Sequence, residues 1–320
     1  MGIKNRLVKK NSRKDIIKIS SNSMTYPKVS IIILNWNNYE DTKECLLSLD
    51  KITYPNYEVI VVDNGSVDGS TPKIQKEFPR HKYIYNKENL GFTEGNNIGM
   101  EYAMKKGTDF VLVLNNDITV ENGFLESLVD IALKNPDAGI VGPAVYFYHE
   151  PEKLSPTGGK INYWRINNKV YDLARPMEMD WIFGCCLLIK REVIETIGYF
   201  YVPFFLSYED TDYCVRAKKT GFKIVCEPRS KIWHKIGTTI KKNPVYFYYY
   251  FYRNKLLFIK RNAPFYIKFL FYFYFSLYLI FRIIEKLVKK DTLIAFAMKD
   301  ALFDFWSGNF GKKRKFIKKT

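Results

Sequence analysis

Apolar residues in the first half of this chain come in short unbroken runs that end on polar tips. VSIIIL (29–34), EVIVVD (58–63) and FVLVLN (110–115) are such runs, and each closes on or just before an amide or a carboxylate: Asn35, Asp63 and Asn115. Runs of this length bounded by turn signals, such as Asn64-Gly65 after the second, predict strands buried on both faces. Between them Asp41–Leu49, a segment near 70–77 and Glu94–Lys106 read as helices, the last stopped by Gly107 as a C-cap. A short strand is expected near Tyr83–Tyr85. Strands alternating with helices across short turns predict an α/β fold with a parallel sheet, whose ligand sits at the carboxyl ends of the strands. Those ends carry Asn35, Asp63 and Asn115-Asn116-Asp117.

The second half is less regular. IFGCCLLI (182–189) is an apolar run, Glu192–Ile197 a short helix, and Ser207 is expected to begin a helix that Gly221 ends. FKIVC (222–226) follows as a strand, and from Pro244 the chain turns aromatic and basic. Pro264–Ile284 is the membrane candidate. Lys268 and Arg282 bracket 13 of its residues, about 20 Å of helix, short of a bilayer core of about 30 Å. An interfacial, monotopic helix is therefore expected. The alternatives are a true span, or an apolar helix docked on this chain or on a homodimer partner.

Composition adds the charge picture. The 320 residues are 47% hydrophobic, which excludes wholesale disorder, and the net charge is +17. That charge is concentrated at the ends: residues 1–28 hold eight Lys or Arg against Asp15, and residues 235–320 hold nineteen against four acids. The intervening body is mildly acidic. This argues against a nucleic-acid-binding core, whose basic groups should line the folded site, and suggests ends that meet an anionic surface, either membrane or nucleic acid. The N-terminal segment has no apolar stretch after its basic residues, so no secretory signal is expected. The five cysteines form no CxxC pair and are expected to be reduced core residues of a cytosolic protein.

Five segments carry candidate chemistry, each with a plainer reading beside it. In VIVVDNGSVDGS (59–70), Asp63 can accept hydrogen bonds from a nucleobase or a ribose, or can simply cap a turn. NLGFTEGNNIG (89–99) has neither phosphate-loop spacing, and its glycines can serve close packing instead. In LVLNNDI, Asp117 can offer an oxygen ligand to a divalent cation. In FFLSYEDTDYCVRA, Glu209, Asp210 and Asp212 sit at a helix start, where one can act as general base, while Ser207 and Asp210 fit a capping box. His234, in IWHKIG, is either structural or a metal ligand.

Taken in order, these blocks resemble family 2 inverting glycosyltransferases of the GT-A nucleotide-diphospho-sugar transferase fold. SIIILNWNN, VIVVDNGSVDGS, NLGFTEGNNIG, LVLNND, WIFGCCLLIKREVIETIGYF, FFLSYEDTDYCVRAKKTGFKI and IWHKIGTT carry the likeness over roughly Pro27–Gly237. Arg253-Asn254 resembles a pair common in the rhamnosyltransferase-like branch. The resemblance implies that Asn35 and Asp63 hold a uridine or thymidine, that Asn64, Gly91, Asn96, Asn115 and Asn116 belong to the nucleotide-approaching blocks, and that Asp117 with His234 serves Mg2+ or Mn2+. Asp210, with Glu209 beside it, is the implied base. The metal motif departs from the family's DxD pattern, since Asn115 stands where a first carboxylate would. The implied organisation is a basic tail (1–27), a transferase domain (28–240) and a helical membrane-associating region (241–320), at the cytoplasmic face of the membrane. The implied substrates are a nucleotide sugar and a saccharide or lipid-linked glycan. A processive synthase is disfavoured because no QxxRW motif is present, and a nucleotidyltransferase because NWNNYED after the first strand lacks a basic Gly-rich loop. A non-catalytic membrane-surface adaptor on the same fold is the remaining alternative.

Overall fold

The computed structural model describes residues 26–164, 168–169, 173–237 and 243–313. The expected basic tail lies outside them apart from Tyr26 and Pro27. Strands β1 (Val29–Asn35), β2 (Tyr57–Asp63), β3 (Lys82–Tyr85) and β4 (Phe110–Asn115) alternate with helices α1 (Tyr39–Leu49), α2 (Ser70–Glu77) and α3 (Gly91–Lys105). Each strand expected in this half is present, and α3 starts three residues earlier than its sequence suggests. There follow β5 (Ile118–Val120), α4 (Phe124–Lys134), β6 (Ala138–Phe147), β7 (Glu150–Leu154), β8 (Gly158–Lys160), β9 (Asn168–Lys169), β10 (Met177–Met179), β11 (Trp181–Ile182), β12 (Cys186–Lys190), α5 (Arg191–Ile197), α6 (Glu209–Lys219) and β13 (Lys223–His234). Three long helices close the described chain: α7 (Pro244–Asn262), α8 (Phe265–Val288) and α9 (Thr292–Trp306).

The main sheet runs β10-β13-β6-β12-β4-β1-β2-β3. β4, β1, β2 and β3 are mutually parallel, while β12 enters antiparallel to both β4 and β6. Both faces of β1 are covered, which is why its sequence is apolar without alternation. Ile31 and Ile33 face a core with α1, α2 and α4, whereas Ile32 faces a core with α3, α5 and α6. Burying each such side chain stabilises the fold by about 1.5–3 kcal/mol. Gly95 and Gly99 let α3 lie close on the sheet: a Cβ at Gly95 would meet Leu34 Cδ1 at 2.6 Å, and one at Gly99 would meet Ile32 Cγ2 at 2.5 Å. All five cysteines are buried and free.

Two expectations in the second half need correction. The run 182–189 is not continuous; it turns at Phe183–Cys185 between β11 and β12. Nor does Ser207 cap α6. Phe205, Ser207 and Tyr208 have φ of +64°, +71° and +72°, α6 begins at Glu209, and no side chain caps it. Left-handed backbone costs a non-glycine residue about 1–2 kcal/mol, so something must hold this loop.

The holding comes from α7. Asn254 Nδ2 lies 2.7 Å from the carbonyl oxygens of Phe204 and Leu206 and 3.0 Å from that of Ser207. Arg253, 1% exposed, donates to Pro203 O and Phe204 O at 3.1 Å and to Gly311 O at 2.7 Å. Gly311 N–H in turn donates to Pro203 O at 2.8 Å. Phe204, Phe205 and Val215 share a third core with α7, α8 and α9. The C-terminal helices are thus docked on the body through the loop that leads into α6.

Candidate functional site

The register of the sheet sets three polar tips side by side: Asn35 pairs with Asp63, and Leu34 with Asn115. From β1 the chain winds outward through β2 and β3, then returns to place β4 on the other side of β1. Such a reversal opens a crevice at the carboxyl edge. A cavity of about 600 Å³ lies there, lined by Leu34, Trp36–Asn38, Asn64, Asn89, Gly91, Phe92, Asn115–Asp117, Phe205, Leu206, Asn243 and Tyr246. That volume suits a ligand of nucleotide size.

The residues singled out in the sequence divide into wall and support. Asn64, Gly91, Asn115, Asn116 and Asp117 line the cavity. Asn64 is a hub: its Nδ2 donates to Asn89 Oδ1 (3.1 Å) and Gly91 O (3.0 Å), and its Oδ1 accepts from Leu90 N–H (3.1 Å). Gly91 has φ +81°, and a Cβ there would stand 2.5 Å from Phe205 O, so only glycine admits this approach. Asn35 lies outside the wall. It is fully buried, donating to Ser70 Oγ (3.0 Å) and Thr71 Oγ1 (2.7 Å) and accepting from Thr42 Oγ1 (3.0 Å). It ties β1 to α1 and α2, and its neighbours Trp36–Asn38 take the place at the cavity that the sequence suggested for it. Asp63, 6% exposed, accepts from Ser66 N–H at 3.2 Å, the turn-capping arrangement. Asn96 is buried in α3, donating to Phe92 O at 2.8 Å.

Pairing of β13 with β5 puts His234 opposite Ile118, and His234 Nε2 lies 3.1 Å from Asp117 Oδ1. Burial pulls the imidazole pKa down, but hydrogen bonds to Asp117 and Cys185 outweigh it and raise it to about 10. The Phe183–Cys185 turn links the rest. Asn115 N–H donates to Cys185 O at 2.9 Å, and Gly184 N–H donates to Asp210 Oδ2 at 2.7 Å. A Cβ at Gly184 would stand 2.8 Å from that of Asp210. Asp210 does not line the cavity; this turn connects it to the tip of β4. Burial raises the Asp210 pKa, with N–H donors from Gly184 and Thr211 opposing. Glu209, 6% exposed, has its Oε2 unpartnered, and burial followed by the nearby Asp210 charge pushes its pKa well above the usual carboxylate range. Asp212 is committed elsewhere, to Arg216 (3.0 Å) and Arg261 (2.9 Å).

Sequence reasoning missed Asn89, Phe205, Leu206, Asn243 and Tyr246 as wall residues. Asn89 lies inside NLGFTEGNNIG, and Phe205 and Leu206 inside FFLSYEDTDYCVRA, but of these only the polar Asn89 carried a local signal. The others reach the cavity through long-range packing, as in the stacking of Phe205 on Tyr250 at 4.9 Å.

Comparisons with known proteins agree with this geometry. The family model described as "Glycosyl transferase family 2" matches residues 30–198. A low-salt glycan biosynthesis hexosyltransferase of Haloferax volcanii is 28% identical over 204 residues, 61% of this chain; the chain spans just under two thirds of that protein, 63%. An N-acetylglucosaminyl-diphospho-decaprenol L-rhamnosyltransferase of Mycobacterium tuberculosis is 26% identical, over 62% of this chain and 73% of that protein. Among solved structures, the mannosyltransferase from Pyrobaculum calidifontis, in complex with GDP-Man and Mn2+, superposes with a TM-score of 0.56 at 14% identity, over 89% of this chain and 74% of that one. The last likeness shows the fold, and the expected GT-A architecture stands.

Proposed function

The chain belongs to glycosyl transferase family 2, and from that membership we propose that it moves one sugar from a UDP- or dTDP-linked donor to a hydroxyl of a saccharide or lipid-linked glycan, inverting the anomeric centre. The observation that carries this reading is the chemistry of the cavity wall. Seven of its residues are asparagines, one is an aspartate, and none of its described residues is Lys or Arg. Amides offer both donors and acceptors to a nucleobase and to sugar hydroxyls. A diphosphate, however, meets no cationic side chain among the described residues of that wall.

A divalent cation, Mg2+ or Mn2+, answers that charge. Asp117 would hold it, His234 would join only by giving up the proton it now shares with Asp117, and the buried, unpartnered Asn115 Oδ1 stands on the same strand tip. Among the described residues no three His, Cys, Asp or Glu side chains converge on a metal position. The protein therefore offers few ligands, as is usual where substrate phosphates complete the shell. When bound, the ion would stabilise charge on the leaving diphosphate. Asp210 supplies the base: it accepts the proton of the acceptor hydroxyl, the oxygen bonds to the anomeric carbon, and the carbon–phosphate-oxygen bond breaks on the opposite face. Burial sets this carboxylate closer to working pH than an exposed one, which favours proton transfer. Burial and the Asp210 charge favour the neutral form of Glu209, which disfavours a second negative charge beside Asp210.

Membrane attachment is the second element of the proposal. α8 is 24 residues long and apolar enough to cross a bilayer. Only the stripe Phe271, Phe275 and Leu279 is buried, whereas Phe265, Phe269, Phe273 and Phe281 are 60–83% exposed. Arg282 does not end the apolar stretch as a free charge, because Glu285 pairs with it at 2.6 Å. We read 28–240 as the transferase body and 241–320 as the part that rests this body on the cytoplasmic membrane face, with the exposed stripe in the interface and Lys289 and Lys290 toward anionic headgroups.

The test is Asp210→Asn. Transfer should fall by about 10²–10⁴-fold while calorimetric donor affinity is retained, and Asp117→Ala should remove the metal dependence of donor binding. Near-parental turnover in Asp210→Asn would refute the assignment.

A further inference from the structure

A second recess, about 260 Å³, lies between the body and the two helices that carry it. Its lining is Trp164 from the body, Lys255 from α7, and Phe271, Tyr274, Phe275 and Tyr278 from α8. Five of the six are aromatic, and the sixth is a cation. Lys255 Nζ sits 4.8 Å from the Phe275 ring centre and 5.9 Å from that of Phe271. Trp164 closes the recess from the body side, its ring 6.3 Å from Phe271 and 6.5 Å from Tyr274.

Three cations of these helices have protein counter-charges. Arg261 pairs with Asp212, Arg282 with Glu285 and Lys286 with Asp291. Among the described residues Lys255 has none: burial perturbs it, lowering its pKa to about 8 with no described carboxylate acting against the shift. A half-buried ammonium without a counter-ion is unfavourable unless a ligand brings one. A lysine that merely covers apolar surface usually carries its charge out to water, whereas this one is enclosed by rings. The recess is also flanked by Tyr274 and Tyr278 on α8, 59% and 46% exposed, next to the stripe read above as membrane-facing. An anion reaching it there would arrive with an apolar tail.

We propose that this recess is a binding site for a phosphate carried on a lipid, with Lys255 as its counter-charge and the aromatic walls excluding water around the pair. The proposal rests on the membrane-seated transferase reading and deepens it. Lys255 directly follows Asn254, which holds the loop leading into Asp210, so a lipid phosphate here would lie on the helix that shapes the catalytic loop. An acceptor sugar linked to a lipid phosphate is the substrate class that fits.

The experiment uses the full chain in detergent, with Lys255→Met and Lys255→Arg beside the parent. Probes are a short-chain isoprenoid phosphate, the matching free alcohol, phosphatidic acid and inorganic phosphate, read by calorimetry and thermal shift. The parent should bind the isoprenoid phosphate at least about tenfold more tightly than the alcohol, a difference of about 1.4 kcal/mol. Lys255→Met should lose that preference, Lys255→Arg should restore it, and nucleotide-sugar affinity should not move in either. Equal affinity in the parent and Lys255→Met overturns the site, as does inorganic phosphate binding as tightly as the lipid. Phosphatidic acid matching the isoprenoid phosphate keeps the site but assigns it to bulk membrane lipid, whereas a clear isoprenoid preference assigns it to the acceptor. Binding that persists in a protein showing no sugar transfer upholds the recess and removes the transferase reading. Transfer with no Lys255-dependent binding does the reverse.

Discussion

Asn254→Ala isolates the clamp on the loop that leads into Asp210, the proposed base. The change removes the amide that serves the carbonyls of Phe204, Leu206 and Ser207. Phe204 O keeps a donor, since Arg253 Nη2 reaches it at 3.1 Å, so two carbonyls lose their side-chain partner. Leaving a buried acceptor unpaired costs about 1–3 kcal/mol, hence roughly 2–6 kcal/mol for two. Against this, the freed loop can leave its left-handed conformations at Ser207 and Tyr208, which returns about 1–2 kcal/mol each. The two effects largely offset, so urea unfolding should show a net change between a gain of roughly 2 and a loss of roughly 4 kcal/mol. The loop geometry has no such compensation. Asp210 begins two residues beyond Tyr208, and turnover should fall by at least about tenfold, 1.4 kcal/mol of barrier, with donor affinity changed less. Transfer kinetics, donor calorimetry and unfolding on one preparation decide it. Parental turnover beside a stability loss at the top of the range would show that the clamp holds the fold together and does nothing for the site, and the reasoning would fail.

Two further predictions follow from burial. Glu209 has a folded-state pKa raised well above 4.5, so the native state holds its proton where the unfolded chain has released it, and stability falls as pH rises from about 4.5 toward the raised value. Glu209→Gln removes that loss: its melting temperature should match the parent's near pH 4 and exceed it increasingly as pH rises above about 4.5, and a gap that narrows with rising pH would contradict the assignment. Replacing Phe269, Phe273 and Phe281 with Ser should weaken partitioning onto anionic vesicles by well over tenfold, given about 1.5–3 kcal/mol per buried ring, with little change in melting temperature; loss of folding without loss of vesicle binding would mark the stripe as a protein interface.

The sheet was legible because its strands are buried on both faces. Ile31, Ile32 and Ile33 need no alternation when helices cover both sides, and the polar tips then mark the edge where a crevice opens. Residue type alone could not separate wall from support. Asn35 and Asn64 follow the same kind of strand, yet hydroxyls from α1 and α2 saturate Asn35, while Asn64 meets the cavity. Ser207 and Asp210 have capping-box spacing, but Asn254, 47 residues beyond Ser207, imposes a different backbone. The break at Phe183–Cys185 was equally hidden, because its reason is the carboxylate of Asp210 on Gly184 N–H. Contacts across such separations leave no local periodicity to read.

The bond from Gly311 N–H to Pro203 O has a consequence for biosynthesis. Pro203 and Arg253 both close on Gly311, so the loop before Asp210 is incomplete until residue 311 has been added. At translation rates of roughly 5–20 residues per second, about a hundred residues separate the emergence of Asp210 from that of its last tether, an interval of roughly 5–20 s. During it the strands that form the crevice are already made, and α8 leaves the ribosome before Gly311 does. The exposed aromatic stripe of α8 is therefore complete before the loop leading into α6 receives its last tether, so that loop is the last part of the body to be fixed.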